Sequence, residues 1–234
     1  MHIFYTPDIQ KDFYTLSPEE SKHCVKVLRL KTGDEVLLIS GKGKLFTGEI
    51  IDDNPKKCSV KILDITEKQS RKKFTVHIAI APTKNTNRFE TFLEKATEIG
   101  IDEIIPFIGR YSERKNIKPE RLEKVIISAI KQSKAFFKPE LRNLTTFDKL
   151  INTDFDGEKY IAHCYETNTK KHIKEVYKKG ENVLILIGPE GDFSEKEVQQ
   201  AVSKGFTEVS ISDSRLRTET AGIVACQIID FMNS

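Results

Sequence analysis

The stretch from residue 183 to residue 187, Val-Leu-Ile-Leu-Ile, is apolar at every position. A strand with one face in water alternates apolar and polar residues, so an unbroken apolar run indicates a strand that is buried on both faces. Such strands occur in parallel sheets that helices cover on both sides. The run therefore predicts a central strand of an α/β domain.

Strand and helix patterns alternate along the chain from residue 74 onwards. Predicted strands cover residues 74–82, 102–108, 159–165, 182–188 and 207–212. Predicted helices cover residues 88–100, 119–133, 169–179, 195–204 and 219–232. This alternation predicts an α/β domain with a mostly parallel sheet over residues 71–234.

The N-terminal part of the chain has mainly β patterns, at residues 35–40, 44–52 and 58–65. A helix over residues 17–30 precedes them, with Ser17 as its cap, Pro18 in the first turn and Glu20 completing a capping box. A polar, basic stretch at residues 66–74 follows. Residues 1–70 are therefore predicted to form a small β-barrel or curled-sheet domain.

Composition excludes several classes of protein. The net charge is only +3, so an anionic partner must be met by a local basic patch rather than by the whole chain. The chain lacks a membrane-length apolar run and an apolar N-terminal segment, which predicts a soluble, cytoplasmic protein with no membrane partner. The scattered cysteines Cys24, Cys58, Cys164 and Cys226 form no CxxC pair, so we expect buried, reduced thiols and no metal.

The turn at residues 188–192, Gly-Pro-Glu-Gly-Asp, follows the buried strand. Ser194 and Glu197 are placed to form a capping box, and Phe193 and Val198 a hydrophobic staple, so the turn should be held rigidly at the carboxyl edge of the sheet. Pro189 lacks an N–H group, which argues against a phosphate site. The glycine backbone favours a neutral heterocycle such as adenine, or a ribose. A connection without any ligand is the alternative.

A second loop at the same edge precedes the last predicted helix. Arg215 and Arg217 flank Leu216 there, and Thr218 is the predicted N-cap. The predicted buried stripe of this helix comprises Ala221, Val224, Ala225, Ile228 and Met232. Solvated surface arginines are the alternative interpretation of this loop.

Together these stretches resemble the SPOUT-superfamily 16S ribosomal RNA (uracil-N3) methyltransferases. Five motifs match in order, at residues 23–36, 93–107, 129–134, 184–198 and 216–222. The resemblance implies a PUA-like or OB-like RNA-binding β-barrel, followed by an α/β domain tied in a trefoil knot. It also implies S-adenosylmethionine as methyl donor, a homodimer, and a uridine of 16S ribosomal RNA in the small ribosomal subunit as target.

The resemblance also implies functional residues. The cofactor would be bound by Tyr165, Glu166, Ile187, Gly188, Pro189, Glu190, Gly191, Leu216, Arg217, Thr218, Thr220 and Ala221. Arg217 is the candidate that stabilises charge on the uracil oxygens, because a guanidinium does not deprotonate and so cannot be the base. Glu219, Glu190 or a water molecule could be the base, and the sequence does not choose between them.

Basic residues are the candidates for contacts with RNA phosphates. They are Arg29, Lys31, Lys42, Lys44, Lys84 and Arg88. His23 is predicted to be a packing residue on the first helix. The chain departs from the family at Asp192, where many relatives have glycine, and at Arg110-Tyr111-Ser112, where the family often has Glu-Arg-Ser. Arg114 is the candidate that compensates for the second departure, which bears on RNA contacts.

Two other functions compete with an RNA methyltransferase. A non-catalytic RNA-binding protein could use the α/β domain only as a dimer scaffold, but a scaffold would need neither the 188–191 turn nor the 216–222 loop. A dinucleotide-dependent enzyme is excluded because residues 81–89 lack a glycine-rich phosphate turn.

Overall fold

The computed structural model describes residues 1–10, 12–68, 73–166 and 170–234. The chain divides into two compact units, one formed by Met1–Arg71 with Ile130–Lys138 and the other by Lys72–Ala129 with Pro139–Ser234. The predicted boundary between residues 70 and 71 lies outside the described residues.

The first unit is built on one five-stranded sheet. Its strands are β1 (His2–Tyr5), β2 (Phe13–Thr15), β3 (Glu35–Ile39), β4 (Lys44–Asp52) and β5 (Ser59–Glu67). They pair in the order β1-β3-β4-β5-β2, and only β1 and β3 are parallel. The three predicted strands are present, and the core lies around Phe4, Leu38 and Val60.

The helix of this unit is shorter than predicted. It comprises α1 (Pro18–Lys22), which Ser17 caps as predicted, followed by a π-helical turn at His23–Val27. Glu20 accepts a hydrogen bond from Lys131 at 2.9 Å, so the predicted reciprocal capping box is wrong. His23 is exposed while Cys24 is buried, so the prediction that His23 packs inside is also wrong; the wider π turn changes which side chains face the sheet.

A distant segment, Ile130–Lys138, completes the first unit. The carbonyl of Phe136 accepts a hydrogen bond from the amide of Gly43 at 2.9 Å, and the amide of Lys138 donates to the carbonyl of Gly41 at the same distance. Gly41 and Gly43 have positive φ angles, 69° and 91° respectively, as the hairpin turn requires. The sequence pattern did not place this segment with the N-terminal strands.

The second unit contains an all-parallel sheet, as predicted. Its strands are β6 (Val76–Ile80), β7 (Glu103–Ile108), β8 (Glu140–Leu141), β9 (Thr145–Thr146), β10 (Glu158–Ala162), β11 (Lys171–His172), β12 (Val183–Ile187) and β13 (Thr207–Ser210). They are ordered β11-β13-β10-β12-β6-β7-β8, and β9 pairs with β7. The apolar strand β12 lies between β10 and β6, and each of its residues is buried.

Helices cover both faces of this sheet. They are α2 (Thr86–Ile99), α3 (Pro119–Ser133), α4 (Phe147–Ile151), α5 (Ile173–Val176), α6 (Glu195–Ser203) and α7 (Thr218–Asn233). Ile185 belongs to one core with residues of α2 and α7, whereas Leu184 and Leu186 belong to another with residues of α4 and α6. The two-sided burial explains why β12 has no polar position.

Two helix predictions are wrong in detail. The lysine-rich helix predicted at residues 169–179 is only the short α5; residue 169 lies outside the described residues. Helix α7 begins at Thr218, with Arg217 rather than Thr218 as its N-cap.

The buried stripe of α7 also differs from the prediction. Ala225 is buried as predicted, but the other buried residues of the helix are Thr218, Glu219, Gly222, Cys226 and Ile229, while Ala221, Val224, Ile228 and Met232 are only partly buried. A Cβ atom at Gly222 would lie 2.7 Å from the ring of Phe92 in α2, so the close approach of the two helices sets this face.

Three cysteines, Cys24, Cys58 and Cys226, are buried as predicted, but Cys164 is exposed. Within the described ranges, no helix combines the length and apolar character that crossing a bilayer requires. In the same part of the chain, no three His, Cys, Asp or Glu side chains are grouped as metal ligands.

Glu103, at the start of β7, forms a half-buried charge cluster. Its carboxylate contacts the ring of His77 and accepts from Nε of Arg142 at 2.5 Å. Burial alone raises the pKa of Glu103, but the hydrogen bonds and charges of His77 and Arg142 together outweigh burial and lower the pKa below its usual value.

This cluster predicts a pH-dependent stability. Because the folded pKa of Glu103 is lower than the unfolded value of about 4.3, its charged form stabilises the fold above that pH, and this contribution is lost as pH falls through the folded value. Glu103→Gln should lower the free energy of unfolding by about 1–2 kcal/mol at neutral pH, and by less in acid. Urea denaturation at several pH values measures this. An equal loss in Glu140→Gln, which also contacts Arg142 but is exposed, would contradict the prediction.

Candidate active site

A cleft of about 740 Å³ lies in the second unit, at the carboxyl ends of β10, β12 and β13. Its walls come from the connections that follow these three strands and from the first turns of α7. The strands are parallel neighbours, so their carboxyl ends meet at one edge, which is where open α/β sheets bind ligands.

The turn at residues 188–192 forms one wall of the cleft. Gly188 is buried, and a Cβ atom there would lie 3.1 Å from the ring of Phe193. Glu190 accepts a hydrogen bond from the amide of Lys84 at 2.8 Å through one carboxylate oxygen. Its other oxygen is buried and has no hydrogen-bond partner among the described residues. The turn is therefore tied to the loop that follows β6.

Asp192 occupies the position at which the sequence resemblance predicts glycine. Its φ angle is 65°, in the left-handed region, which aspartate tolerates better than most residues. Its carboxylate accepts hydrogen bonds from the amides of Cys164 and Phe193, both at 2.8 Å. Aspartate thus connects the loops after β10 and β12, a contact that glycine cannot make.

The start of α6 has the predicted capping box. Ser194 and Glu197 make the two reciprocal hydrogen bonds, and Phe193 and Val198 are both buried. The second carboxylate oxygen of Glu197 accepts from the amide of Arg110 at 2.8 Å, so this side chain also holds the loop after β7.

The loop after β10 contributes His163, which was not among the predicted cofactor-binding residues. His163 is 6% exposed, and its Nε2 lies 3.1 Å from a carboxylate oxygen of Glu208. Burial, together with the charge of Lys170, lowers the pKa of His163, against the opposing effect of Glu208 and Asp192. The lowered pKa favours the neutral imidazole, and with Nε2 donating to Glu208, Nδ1 is an acceptor that is buried and has no hydrogen-bond partner among the described residues.

Most of the predicted cofactor residues line the cleft. They are Glu166, Ile187, Gly188, Pro189, Glu190, Leu216, Arg217, Thr218 and Ala221. Tyr165, Gly191 and Thr220 are not among the lining residues. The hydroxyl of Tyr165 instead donates to the carbonyl of Phe193 at 2.7 Å, and a Cβ atom at Gly191 would lie 2.9 Å from Cβ of Tyr111.

More than half of the lining residues were not among the predicted cofactor-binding residues. These residues are Ala162, His163, Cys164, Lys170, Asp192, Ser210, Ile211, Ser212, Asp213, Ser214 and Arg215. All but Asp192 lie at the ends of β10 and β13, around the loops after them, or just before β11. The available signal was positional: residues at the carboxyl ends of neighbouring parallel strands share an edge.

The two residues predicted to be catalytic lie in different surroundings. Arg217 is exposed and lines the cleft. Glu219 is 8% exposed and is not among the lining residues. One of its oxygens lies 3.7 Å from Nε of Arg88, and the other is buried with no hydrogen-bond partner within the described ranges.

The predicted phosphate-binding residues have varied partners. Lys84 pairs with Glu113 at 2.7 Å, and Lys44 pairs with Glu67 at 2.5 Å. Lys42 donates to the carbonyl of Pro7 at 2.9 Å, while Arg29 and Lys31 are exposed.

Arg114, the candidate compensating residue, holds a loop. Its guanidinium donates to the carbonyls of Thr83 at 2.9 Å and Lys84 at 2.6 Å. Since the amide of Lys84 in turn donates to Glu190, Arg114 supports the 188–192 turn through the loop after β6.

The parallel sheet and the cleft at its carboxyl edge define an α/β ligand-binding domain. Comparison with known proteins specifies the class of protein. Residues 70–230 match the family described as RNA methyltransferase domain, and residues 16–63 match the RNA methyltransferase PUA domain. The chain belongs to this RNA methyltransferase family. The predicted order of a PUA-like unit and an α/β methyltransferase domain is thereby confirmed, as is the catalytic interpretation over the scaffold.

Similar proteins cover the whole chain. A probable rRNA-methyltransferase from Porphyromonas gingivalis is 42% identical, with a TM-score of 0.91 over 100% of this chain and 98% of that one. A candidate methyltransferase from Legionella pneumophila, solved with the bound cofactor SAM, is 28% identical, with a TM-score of 0.89 over 99% and 97%. The Ribosomal RNA small subunit methyltransferase E of Buchnera aphidicola is 29% identical over 98% of this chain and 92% of its own length.

The two hydrogen bonds of Asp192 predict its substitution phenotype. Asp192→Gly should keep the turn conformation but release the loop after β10, and so weaken cofactor binding by about tenfold, the equivalent of a hydrogen bond to a charged group. Asp192→Asn, which retains an acceptor, should lose less. Isothermal titration of each variant with S-adenosylmethionine measures this, and equal affinities for Asp192→Gly and the unaltered chain would contradict it.

Proposed function

We propose that this protein transfers a methyl group from S-adenosylmethionine to N3 of a uridine in 16S ribosomal RNA of the small ribosomal subunit. The observation that carries the proposal is the convergence of two loops on one cleft. The 188–190 turn and the 216–218 loop, separate in sequence, both line it. The names and bound cofactor of the similar proteins support the proposal.

The residues of the cleft fit this cofactor. Backbone groups at Gly188 and Leu216, with the small side chain of Ala221, suit a neutral nucleoside between two loops. Nδ1 of His163, which has no hydrogen-bond partner in the part of the chain that the structure describes, can accept from an N–H or O–H donor. The carboxylate of Glu190 tolerates a cationic centre nearby. When bound, S-adenosylmethionine supplies a methyl group activated by its positive sulfur.

Arg217 is the proposed charge-stabilising group. It precedes α7 at the rim of the cleft, and its exposed guanidinium is available to a substrate. Loss of the N3 proton puts negative charge on the uracil oxygens, which a fixed cation stabilises. The loops that hold the cleft, tied by Asp192 and Glu190, align the two reactants; such alignment can supply about 7–11 kcal/mol.

Glu219 remains a predicted catalytic residue. Its contact with Arg88 also positions that arginine. Arg29, Lys31, Lys42 and Lys44 in the first unit, and Lys84 and Arg88 in the second, remain the proposed phosphate contacts. We assign RNA binding to residues 1–70 and methyl transfer to residues 71–234.

A trefoil knot, a homodimer and a cytoplasmic location complete the proposal. The position of α7 supports the knot: β13 lies on the far side of β10, yet α7 contacts β12, β6 and α2. The partly buried apolar residues of α7, together with Phe231 at 76% exposure, support a dimer contact.

Arg217→Ala should lower turnover by about 100-fold, the effect of removing a charge-stabilising donor, and change cofactor affinity much less. Methyl transfer to ribosomal RNA and calorimetric titration with the cofactor separate the two effects. Arg215→Ala, which removes another cation from the same cleft, is the matched comparison and should show the smaller loss. Equal losses in the two variants would remove Arg217 from the mechanism.

The target base can be tested in cells that lack the protein. An N3-methyl group blocks Watson–Crick pairing, so it stops primer extension on the ribosomal RNA. Deletion should abolish one stop, and the unaltered gene should restore it. A gene carrying Arg217→Ala should restore it only weakly, whereas an unchanged pattern after deletion would refute the proposed substrate.

A further inference from the structure

Tyr111 is an exposed aromatic residue at the rim of the cleft. Its side chain is 46% exposed, and its Cβ lies so close to Gly191 that a Cβ atom there would be only 2.9 Å away. Gly191 follows Glu190, which lines the cleft, whereas Tyr111 does not line it. The ring therefore lies beside the cofactor cleft and outside it.

The backbone that carries Tyr111 is fixed on both sides. The amide of Arg110 donates to buried Glu197 at 2.8 Å, and the amide of Gly109 donates to the hydroxyl of Ser112 at 2.9 Å. Further along, Arg114 donates to two carbonyls of the loop after β6. Exposed aromatic residues are common on protein surfaces, but an aromatic ring held on a rigid loop beside a substrate cleft loses little entropy when it binds a ligand.

The surroundings of the ring are cationic as well as aromatic. The guanidinium carbon of Arg110 lies 5.8 Å from the centre of the Tyr111 ring, and Arg110 is itself exposed. Proteins that bind single-stranded RNA combine an aromatic ring with a nearby cation. A base stacks on the ring, and the cation contacts the phosphate.

We propose that Tyr111 stacks on a base of the RNA substrate next to the uridine that enters the cleft, with Arg110 on the adjoining phosphate. Tyr111 is thus a substrate-positioning residue, and it rests on the proposed function. The close packing against Gly191 ties the stacking platform to the same turn that lines the cofactor cleft. A side chain at residue 191 would displace the ring.

Kinetics with paired variants test the proposal. Tyr111→Leu keeps an apolar contact with Gly191 but removes the aromatic face, and should raise the KM for RNA by about tenfold, as loss of one base–aromatic stack does. Tyr111→Phe should stay close to the unaltered protein. The calorimetric affinity for S-adenosylmethionine and the thermal midpoint should be the same in all three. An unchanged KM in Tyr111→Leu would overturn the proposal.

A fluorescence experiment gives a direct readout, because the chain contains no tryptophan. Tyr111→Trp introduces a single indole whose emission a stacked base should quench during titration with the ribosomal RNA segment. Val202→Trp, at a residue that is 43% exposed in α6, is the matched control and should not be quenched. Equal quenching in both, or none in Tyr111→Trp, overturns the stacking contact.

These measurements separate the two proposals. If RNA quenches the emission of Tyr111→Trp but the unaltered protein transfers no methyl group to that RNA, the proposed function fails and the stacking contact stands. If methyl transfer occurs and the Tyr111 variants bind RNA normally, only the stacking contact fails. A change of oligomeric state in Tyr111→Leu without a change in KM would assign this surface to a protein contact and overturn the RNA contact.

Discussion

The parallel arrangement of β10, β12 and β13 is the constraint on which the candidate site depends. Because the three strands run in one direction, the chain must leave each of them at the same edge of the sheet. Loops that are far apart in sequence therefore meet there. The burial of β12 on both faces, by two separate apolar cores, keeps this edge in place.

Carboxylates connect the loops at this edge. Glu190, Asp192 and Glu197 each accept a hydrogen bond from a backbone amide of another loop. Hydrogen bonds from amides to a charged acceptor are stronger than neutral ones, so three side chains can order several connections without a disulfide or a metal. Such order suits an enzyme that must align two reactants, since misalignment reduces the rate steeply.

Local features could be predicted well. The strand at residues 183–187, the capping box of Ser194 and Glu197, and the helix over residues 119–133 are present as the pattern indicated. Errors arose where contacts with distant residues override local preference. The π turn after α1 exposes His23, and the approach of Phe92 rotates α7 so that Gly222 is buried. The local sequence pattern predicts neither the π turn nor the approach of Phe92.

The sequence by itself determined the elements and the family, because periodicity, capping and turn chemistry act over a few residues and the motifs occur in order. Only the tertiary structure decided which side chains share the cleft. Glu190 meets Lys84 across 106 residues, and Asp192 meets Cys164 across 28. Such contacts depend on strand order and on the direction of each loop, which are properties of the packed sheet. For the same reason His163 lines the cleft, whereas Glu219 lies outside the lining and contacts Arg88.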